Sequence, residues 1–216
     1  MTVDNDNDNN DINSNDNALA EAIVRHEWNQ FQHTNNEGGR ASCQGNWPVF
    51  HQMRLAQFLT WPEKPQTSYA GDLDDADAVG RNLVAEKYGR MMASTWPDQF
   101  HETIEPYIPK LSEDRVARQE RVISQQVQWA ADFRERYPKL GGAMRVLTTA
   151  EDTQEKTSFE TYLRGELGTY SDRTFTLYEA MIEAKRAAGE NITEQTLLNT
   201  VLIGGFTDLA DAEASL

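Results

Sequence analysis

The chain has little of what marks a secreted or membrane-spanning protein. Of its 216 residues only Cys43 is a cysteine, so no intrachain disulfide can form and a reducing compartment is expected. No stretch approaches the roughly 20 apolar residues that a membrane span needs. The acidic N-terminus also lacks the apolar core of a secretory signal. We therefore expect a soluble, cytoplasmic protein without a membrane partner.

Positive charge is scarce as well. The chain has 20 Lys and Arg against 35 Asp and Glu, which gives a formal net charge of -15 at pH 7. A surface of this sign repels the phosphate backbone of nucleic acids and the headgroups of anionic lipids. Because no run of Lys or Arg offers a local basic patch, the sequence predicts that nucleic acid is not a partner.

The common motifs for metals and nucleotides are missing too. Neither Gly-x-Gly-x-x-Gly nor the phosphate-loop pattern occurs. His26 and His33 would lie about 10 Å apart along one helix, which is too far to share an ion. Glu-x-x-His, which supplies ligands in di-iron helix bundles, is absent from the sequence. We predict no metal site, and the sequence leaves any cofactor unknown.

What the sequence does contain begins with an unusual N-terminus. Between Asp4 and Asn17 there are five Asp and seven Asn, with only two other residues among them. Such a stretch buries too little apolar surface to offset the entropy lost on ordering. We interpret residues 1–17 as a disordered acidic tail and residues 18–216 as one helical domain, which contains all five Trp.

Apolar residues in the rest of the chain recur at helical spacing nearly throughout. Ala20, Val24, Trp28 and Phe31, for example, fall on one stripe of a helix. We predict an all-α fold, a single helical domain of about seven helices. Only residues 144–148 suggest a short strand.

Side chains that can cap a helix N-terminus mark several helix starts. Asn46, Ser112 and Ser171 are three such candidates, because their oxygens can accept hydrogen bonds from the free N–H groups of a first turn. A polar loop is predicted for residues 61–73, which include Pro and Gly. A helix of about 20 residues is predicted to follow from residues 74–75.

Residues 35–44, with the sequence Asn-Asn-Glu-Gly-Gly-Arg-Ala-Ser-Cys-Gln, hold more chemical groups than a helix connector needs. Gly38 and Gly39 let the backbone adopt positive φ and bring N–H groups close to a ligand. Arg40 offers a planar fork suited to a carboxylate or phosphate, and Glu37 could act as a base or simply pair with Arg40. The alternative is a structural loop whose polar side chains satisfy buried backbone groups.

Cys43 lies in the same segment and is a candidate nucleophile. Arg40 and the N-terminus of the following helix would both favour its thiolate. The attack would also need a base, and the chain has only four His. Because a lone cysteine is more often a small buried apolar residue, both interpretations stay open.

Two segments resemble one known family. The run Asn-Glu-Gly-Gly-Arg-Ala at residues 36–41 resembles the signature of an uncharacterised bacterial family, a domain of unknown function, in which it follows a Glu-Trp pair such as Glu27-Trp28. A second block is similar to the same family: Ser-Phe-Glu-Thr-Tyr-Leu-Arg-Gly-Glu-Leu at residues 158–167, followed by Thr-Tyr-Ser. The resemblance spans roughly residues 26–189. It implies no established reaction and no catalytic residue, although relatives that adjoin a nucleotidyltransferase-like domain imply a partner role.

The second block carries two Glu, an Arg and a Tyr within residues 160–166, and one helix face cannot expose all four. At least one must therefore point inward or towards a neighbour, where a buried charge needs a partner. A pair of Arg40 with Glu166, or of Glu37 with Arg164, would satisfy that need. We therefore predict that the two segments meet in space.

The sequence supports two functional hypotheses. The first is a small-molecule site, binding or catalytic, for an acidic ligand between residues 35–44 and 158–171. Its ligand-binding residues would be Asn36, Gly38, Gly39, Arg40, Arg164 and Tyr170, and its proton-transferring or nucleophilic residues would be Glu37, Glu166 and Cys43. The alternative is a helical protein-interaction module in which the same residues form a polar network that fixes the fold. A cavity between the two segments would favour the first hypothesis, and a sealed, fully paired network would favour the second.

Overall fold

The computed structural model describes the backbone of residues 8–34 and 42–216 and the side chains of residues 17–34 and 44–216. Within these residues the fold is all-α, as predicted, and no residue belongs to a strand. The predicted number of about seven helices is wrong, because this part of the chain forms eleven. They are α1 Asp8–Gln32, α2 Trp47–Phe58, α3 Glu63–Ala78, α4 Leu83–Thr95, α5 Pro97–Thr103, α6 Glu113–Arg136, α7 Pro138–Ala143, α8 Phe159–Leu167, α9 Asp172–Ala187, α10 Ile192–Ile203 and α11 Leu209–Ser215.

Three of the predicted helix starts are confirmed. The side-chain oxygens of Asn46, Ser112 and Ser171 each accept a hydrogen bond from the backbone N–H three residues later, at the starts of α2, α6 and α9. Helix α1 begins at Asp8, inside the stretch predicted to be a tail. The boundary at residue 17 stays a prediction.

The loop predicted for residues 61–73 is wrong, because α3 begins at Glu63 and runs through this stretch. Pro65 lies in the first turn of α3, where its missing N–H has no intrahelical partner to lose. Gly71 lies inside the helix. The buried side of α3, which includes Tyr69 and Leu73, outweighs the weak helix propensity of that glycine.

The single helix predicted to start at residues 74–75 is also wrong, because this stretch contains the end of α3 and the whole of α4. Helix α3 ends at Ala78, and Gly80 turns the chain with a positive φ of 73°. Asn82 then caps α4, because its side chain accepts a hydrogen bond from the N–H of Ala85 at 2.8 Å. Gly80 therefore allows the turn between the two helices.

Residues 144–148 do not form the suggested strand. The carbonyls of Val146 and Leu147 accept hydrogen bonds from the N–H groups of Phe159 and Glu160, at 2.8 and 3.1 Å. These two donors belong to the first turn of α8 and have no partner within the helix. The segment thus supplies acceptors to a helix N-terminus, and Ser158 caps the same turn.

The main core lies where α1, α2, α3, α6, α8 and α9 converge, and aromatic rings fill its centre. The ring of Trp61 packs against those of Phe58 and Tyr178 at centroid distances of 5.1 Å each. A smaller core around Phe133 joins α6 to α10 and α11. No helix among the described residues has both the length and the apolar character to cross a bilayer.

Candidate functional site

Four charged side chains meet in the interior of the helical domain. Glu27 of α1, Arg54 of α2, Lys87 of α4 and Glu166 of α8 are 1, 4, 4 and 2% exposed. We call these four residues the charged centre. Charged groups at this depth are rare in proteins unless they are paired, so their partners decide what the group can do.

The four residues occupy helix positions at which the spacing of the apolar residues predicts a buried, apolar side chain. Arg54, for example, is four residues from Phe50 and four from Phe58, so all three lie on one face of α2. The other three members are placed likewise on the inner faces of α1, α4 and α8. A charged residue within an apolar stripe thus indicates a buried charge. The sequence analysis did not predict one at Glu27, Arg54 or Lys87.

The guanidinium of Arg54 joins the two carboxylates. Its Nε and Nη2 each donate to a carboxylate oxygen of Glu27, at 2.6 Å, in a two-pronged geometry. Its Nη1 donates to Oε2 of Glu166 at 3.1 Å and to Oε1 of Gln57 at 2.7 Å. Burial alone would lower the pKa of Arg54, but attraction to Glu166 and Glu27 outweighs it and raises that pKa well above its usual range.

Glu166 accepts hydrogen bonds from several sides. Besides Arg54, Gln57 Nε2 donates to its Oε1 at 2.7 Å and the hydroxyl of Tyr170 donates at 2.9 Å. The amine of Lys87 lies 3.7 Å from Oε2. Burial raises the pKa of the Glu166 carboxyl, but Arg54 and Lys87 pull more strongly the other way and lower it to about 2. Glu166 is therefore ionised at neutral pH.

The remaining members complete a balanced set. The amine of Lys87 donates to the hydroxyl of Tyr162 at 2.9 Å. The hydroxyl of Tyr69 donates to Oε1 of Glu27 at 2.8 Å. Two carboxylates face one guanidinium and one ammonium, so the charged centre is neutral as a whole.

This geometry holds charge in place and is poorly suited to moving a proton. A carboxylate with a pKa of about 2, such as Glu166, is a weak base at neutral pH. Burial, and then the nearby carboxylates, raise the pKa of Tyr69 and Tyr170 well above the usual range, so both hydroxyls stay protonated donors. We infer that the charged centre stabilises one arrangement of its four helices.

Arg164 and Glu166, which the sequence placed in one site, lie on different sides of α8. Arg164 Nε and Nη2 donate to the two carboxylate oxygens of Glu120 on α6, at 2.7 and 2.8 Å. Its Nη2 also donates to Glu160 at 2.6 Å. Glu166 instead faces α2 and α4, and the hydroxyl of Tyr170 donates to its carboxylate. Within the described residues, Arg164 and Glu166 do not converge on one cleft.

Most of the other predicted site residues lie outside the described part of the chain. This applies to residues 36–40, that is, to Asn36, Glu37, Gly38, Gly39 and Arg40, and to the side chain of Cys43. Whether this segment meets residues 158–171, and whether Arg40 or Glu37 pairs there, therefore stays a prediction.

The two ends of this segment are held together by a buried glutamine. Gln44 is 1% exposed, and its Nε2 donates to the carbonyls of Phe31 and Thr34 at 2.7 and 3.0 Å. The ring of Phe31 stacks on that of Tyr88 with centroids 5.8 Å apart. The amine of Lys87 lies 5.4 Å from the centroid of the Tyr88 ring, so Tyr88 contacts both Phe31 and the charged centre.

One comparison with known proteins gives a match. A family model described as a protein of unknown function (DUF4125) matches residues 17–214. No curated protein and no solved structure matches the chain. The expected kind of family is thus confirmed, and the match includes residues 35–44 and 158–171. That the run at residues 36–41 is its signature stays an expectation.

Proposed function

We propose that the chain, which belongs to the DUF4125 family, is a helical protein-interaction module whose charged centre fixes the packing of α1, α2, α4 and α8. One observation carries this proposal. The carboxylate of Glu166 is 2% exposed and is bonded by Arg54, Gln57 and Tyr170 from inside the domain. A sealed and paired carboxylate supports a structural role, and binding is then left to the outer faces of the helices.

The centre favours one packing because each ion pair joins a different pair of helices. Arg54 reaches Glu27 on α1 and Glu166 on α8, and Lys87 on α4 faces Glu166 as well. A shift of any of these helices would leave a buried charge without its partner. Removing one partner of a buried pair costs about 3–5 kcal/mol, so alternative packings are disfavoured.

Thermal unfolding of Glu166→Gln distinguishes this role from a ligand site. The substitution leaves one buried positive charge unbalanced, and we expect the melting temperature to fall by about 10 °C. Glu194→Gln is the matched control, because Glu194 pairs with Arg136 at the surface, where their side chains are 31 and 41% exposed. An unchanged or higher melting temperature for Glu166→Gln would point to a functional residue held at a cost to stability.

Native mass spectrometry tests the binding role directly. The full chain is purified at low ionic strength from cells that produce it, because salt weakens interactions between exposed charges. The module should appear in complex with another polypeptide. A small-molecule adduct on an otherwise free chain would contradict the proposal and support the second candidate.

The second candidate is the small-molecule site for an acidic ligand at residues 35–44. It is favoured by Gln44, which holds the two ends of this segment together next to α4. In this proposal Arg40, with Asn36, Gly38 and Gly39, binds the acid, and Glu37 or Cys43 reacts. Labelling of Cys43 by iodoacetamide in the folded protein below the usual thiol pKa of about 8.5 would support it. Labelling only after denaturation would remove Cys43 from any reaction.

Arg40→Ala and Arg164→Ala, alone and together, test whether residues 35–44 share a site with the second block. The free energy of unfolding is measured for the wild-type chain and the three variants. A coupling energy above about 0.5 kcal/mol supports a shared site, whereas additive effects of the two substitutions contradict it.

A further inference from the structure

A shallow groove runs along the outer face of α6 beside the C-terminal end of α9. Its volume is about 500 Å³, and its lining includes Glu120, Arg121, Ser124, Gln125, Gln128 and Arg186. The α6 residues form two rows with steps of three or four positions (120, 124, 128 and 121, 125, 128), so they share one face of the helix. From residue 117 to residue 128 this face extends about 16 Å along α6. We call it the α6–α9 groove.

The groove is locally positive on a strongly acidic chain. Within the described residues, the guanidinium of Arg121 donates only to the backbone carbonyl of Ala117, at 3.4 Å, and Arg186 has no ion pair. The one acidic side chain of the lining is already committed, because both oxygens of Glu120 accept hydrogen bonds from Arg164. Two arginines are therefore available to a ligand.

We propose that the α6–α9 groove binds an acidic peptide segment of a partner protein. The inference rests on the proposed interaction module and names the chemistry of its partner. Planar guanidinium groups match carboxylates, and the hydroxyl and amides of Ser124, Gln125 and Gln128 can bond to an extended backbone. The groove is long, open and polar, so it fits an elongated segment better than a compact molecule, which binds in an enclosed apolar cavity.

Fluorescence anisotropy with a labelled deca-glutamate peptide tests the proposal on the full chain at low salt. Arg121→Gln combined with Arg186→Gln should weaken binding by about ten-fold, because two charge contacts with the peptide are lost. Each groove substitution is also measured alone, and the control is Arg173→Gln in the otherwise wild-type chain. It changes an exposed arginine of the same helix, about 20 Å from Arg186, and should change binding by less than about two-fold.

Three results would overturn the peptide assignment. The first is that the wild-type chain does not bind deca-glutamate. The second is that Arg173→Gln weakens binding as much as either groove substitution alone, which would show a general charge effect. The third is that inorganic pyrophosphate displaces the peptide when both are present at the same total negative charge. This would show a site for small free anions. Any of these would leave the thermal test of Glu166→Gln unaffected, so the two proposals fail separately.

Discussion

The two nitrogens along one edge of the Arg54 guanidinium, Nε and Nη2, each lie 2.6 Å from a carboxylate oxygen of Glu27, 27 residues earlier in the chain. The side chains of this pair are 5 and 1% exposed. Its geometry needs the planar fork of an arginine, since a lysine ammonium is a point charge with no paired donors. The identity of residue 54 therefore matters beyond its charge.

Arg54→Lys should lower the free energy of unfolding by about 2–3 kcal/mol, because it keeps the charge but loses charged hydrogen bonds in a buried place. Urea denaturation measures the change. Arg136→Lys is the control, because Arg136 binds Glu194 through two nitrogens at 2.9 and 2.6 Å, but at the surface. The control should cost less than about 1 kcal/mol. Equal losses for the two variants would show that burial adds nothing to the Arg54 pair.

The charged centre should make stability depend on acid pH through Glu166. Its pKa of about 2 in the folded chain is below the ordinary value of 4.5, so the ionised carboxylate contributes stability that is fully present above pH 4.5. This contribution is lost as the pH falls from about 4.5 towards 2, because the unfolded chain binds the proton first.

Urea denaturation of the wild-type chain and of Glu166→Gln at pH 7, 4.5 and 3 checks this. The difference in free energy of unfolding between the two chains should be largest at pH 7 and narrower at pH 3. At pH 3 Glu166 is protonated in the unfolded chain but ionised in the folded one, so folding must release a proton, whereas glutamine carries no such cost. A difference that stays constant over this range would mean that Glu166 is not the carboxylate that titrates.

The sequence predicted three helix starts that a capping side chain marks. Asn46, Ser112 and Ser171 each cap the turn that follows them, and this needs no information from the rest of the chain. Helix α3 was missed because Pro65 and Gly71 are typical of loops, whereas the helix is stabilised by its buried face. In residues 63–78, tertiary packing therefore outweighs the low helix propensity of these two residues.

The charged centre could be predicted only in part. The sequence indicated that the block at residues 158–167 must turn a charge inward, and Glu166 is that charge. Its partner could not be found from local spacing, since Arg54 is 112 residues away in the chain. Which helix faces which is set by packing of the whole core.

Arg115 should stabilise the C-terminal end of α8 through backbone carbonyls more than through its ion pair. Its Nη2 donates to the carbonyl of Leu167 at 2.7 Å and its Nη1 to that of Tyr170 at 3.3 Å. Its carboxylate partner, Asp172, is 90% exposed, so their ion pair is screened by water. Arg115→Met should therefore cost about 1–3 kcal/mol, and Asp172→Asn less than about 0.5 kcal/mol. Chemical denaturation of both variants measures the loss in free energy of unfolding. A larger loss for Asp172→Asn would show that the ion pair contributes more than the backbone carbonyls.

Gly165 should be required for the close approach of α4 and α8. A Cβ atom at this position would lie 2.8 Å from the backbone carbonyl oxygen of Lys87 and 2.9 Å from Cγ of Met91. The carbonyl belongs to a helix and cannot rotate away, so Gly165→Ala must push α8 from α4 and stretch the contacts of Glu166 with Lys87. We expect a net loss of about 1–2 kcal/mol, after the helix-propensity gain of about 0.5–1 kcal/mol is set against the overpacking cost.

Gly71→Ala in α3 is the matched control for this prediction. Gly71 is also inside a helix, but a Cβ there would meet nothing within 4 Å. The substitution should raise the free energy of unfolding by about 0.5–1 kcal/mol, because alanine loses less backbone entropy on folding. Urea denaturation of the two variants should therefore give changes of opposite sign. If both alanines stabilise the chain, α4 and α8 can separate without cost, and their contact does not hold Lys87 and Glu166 at the distance described.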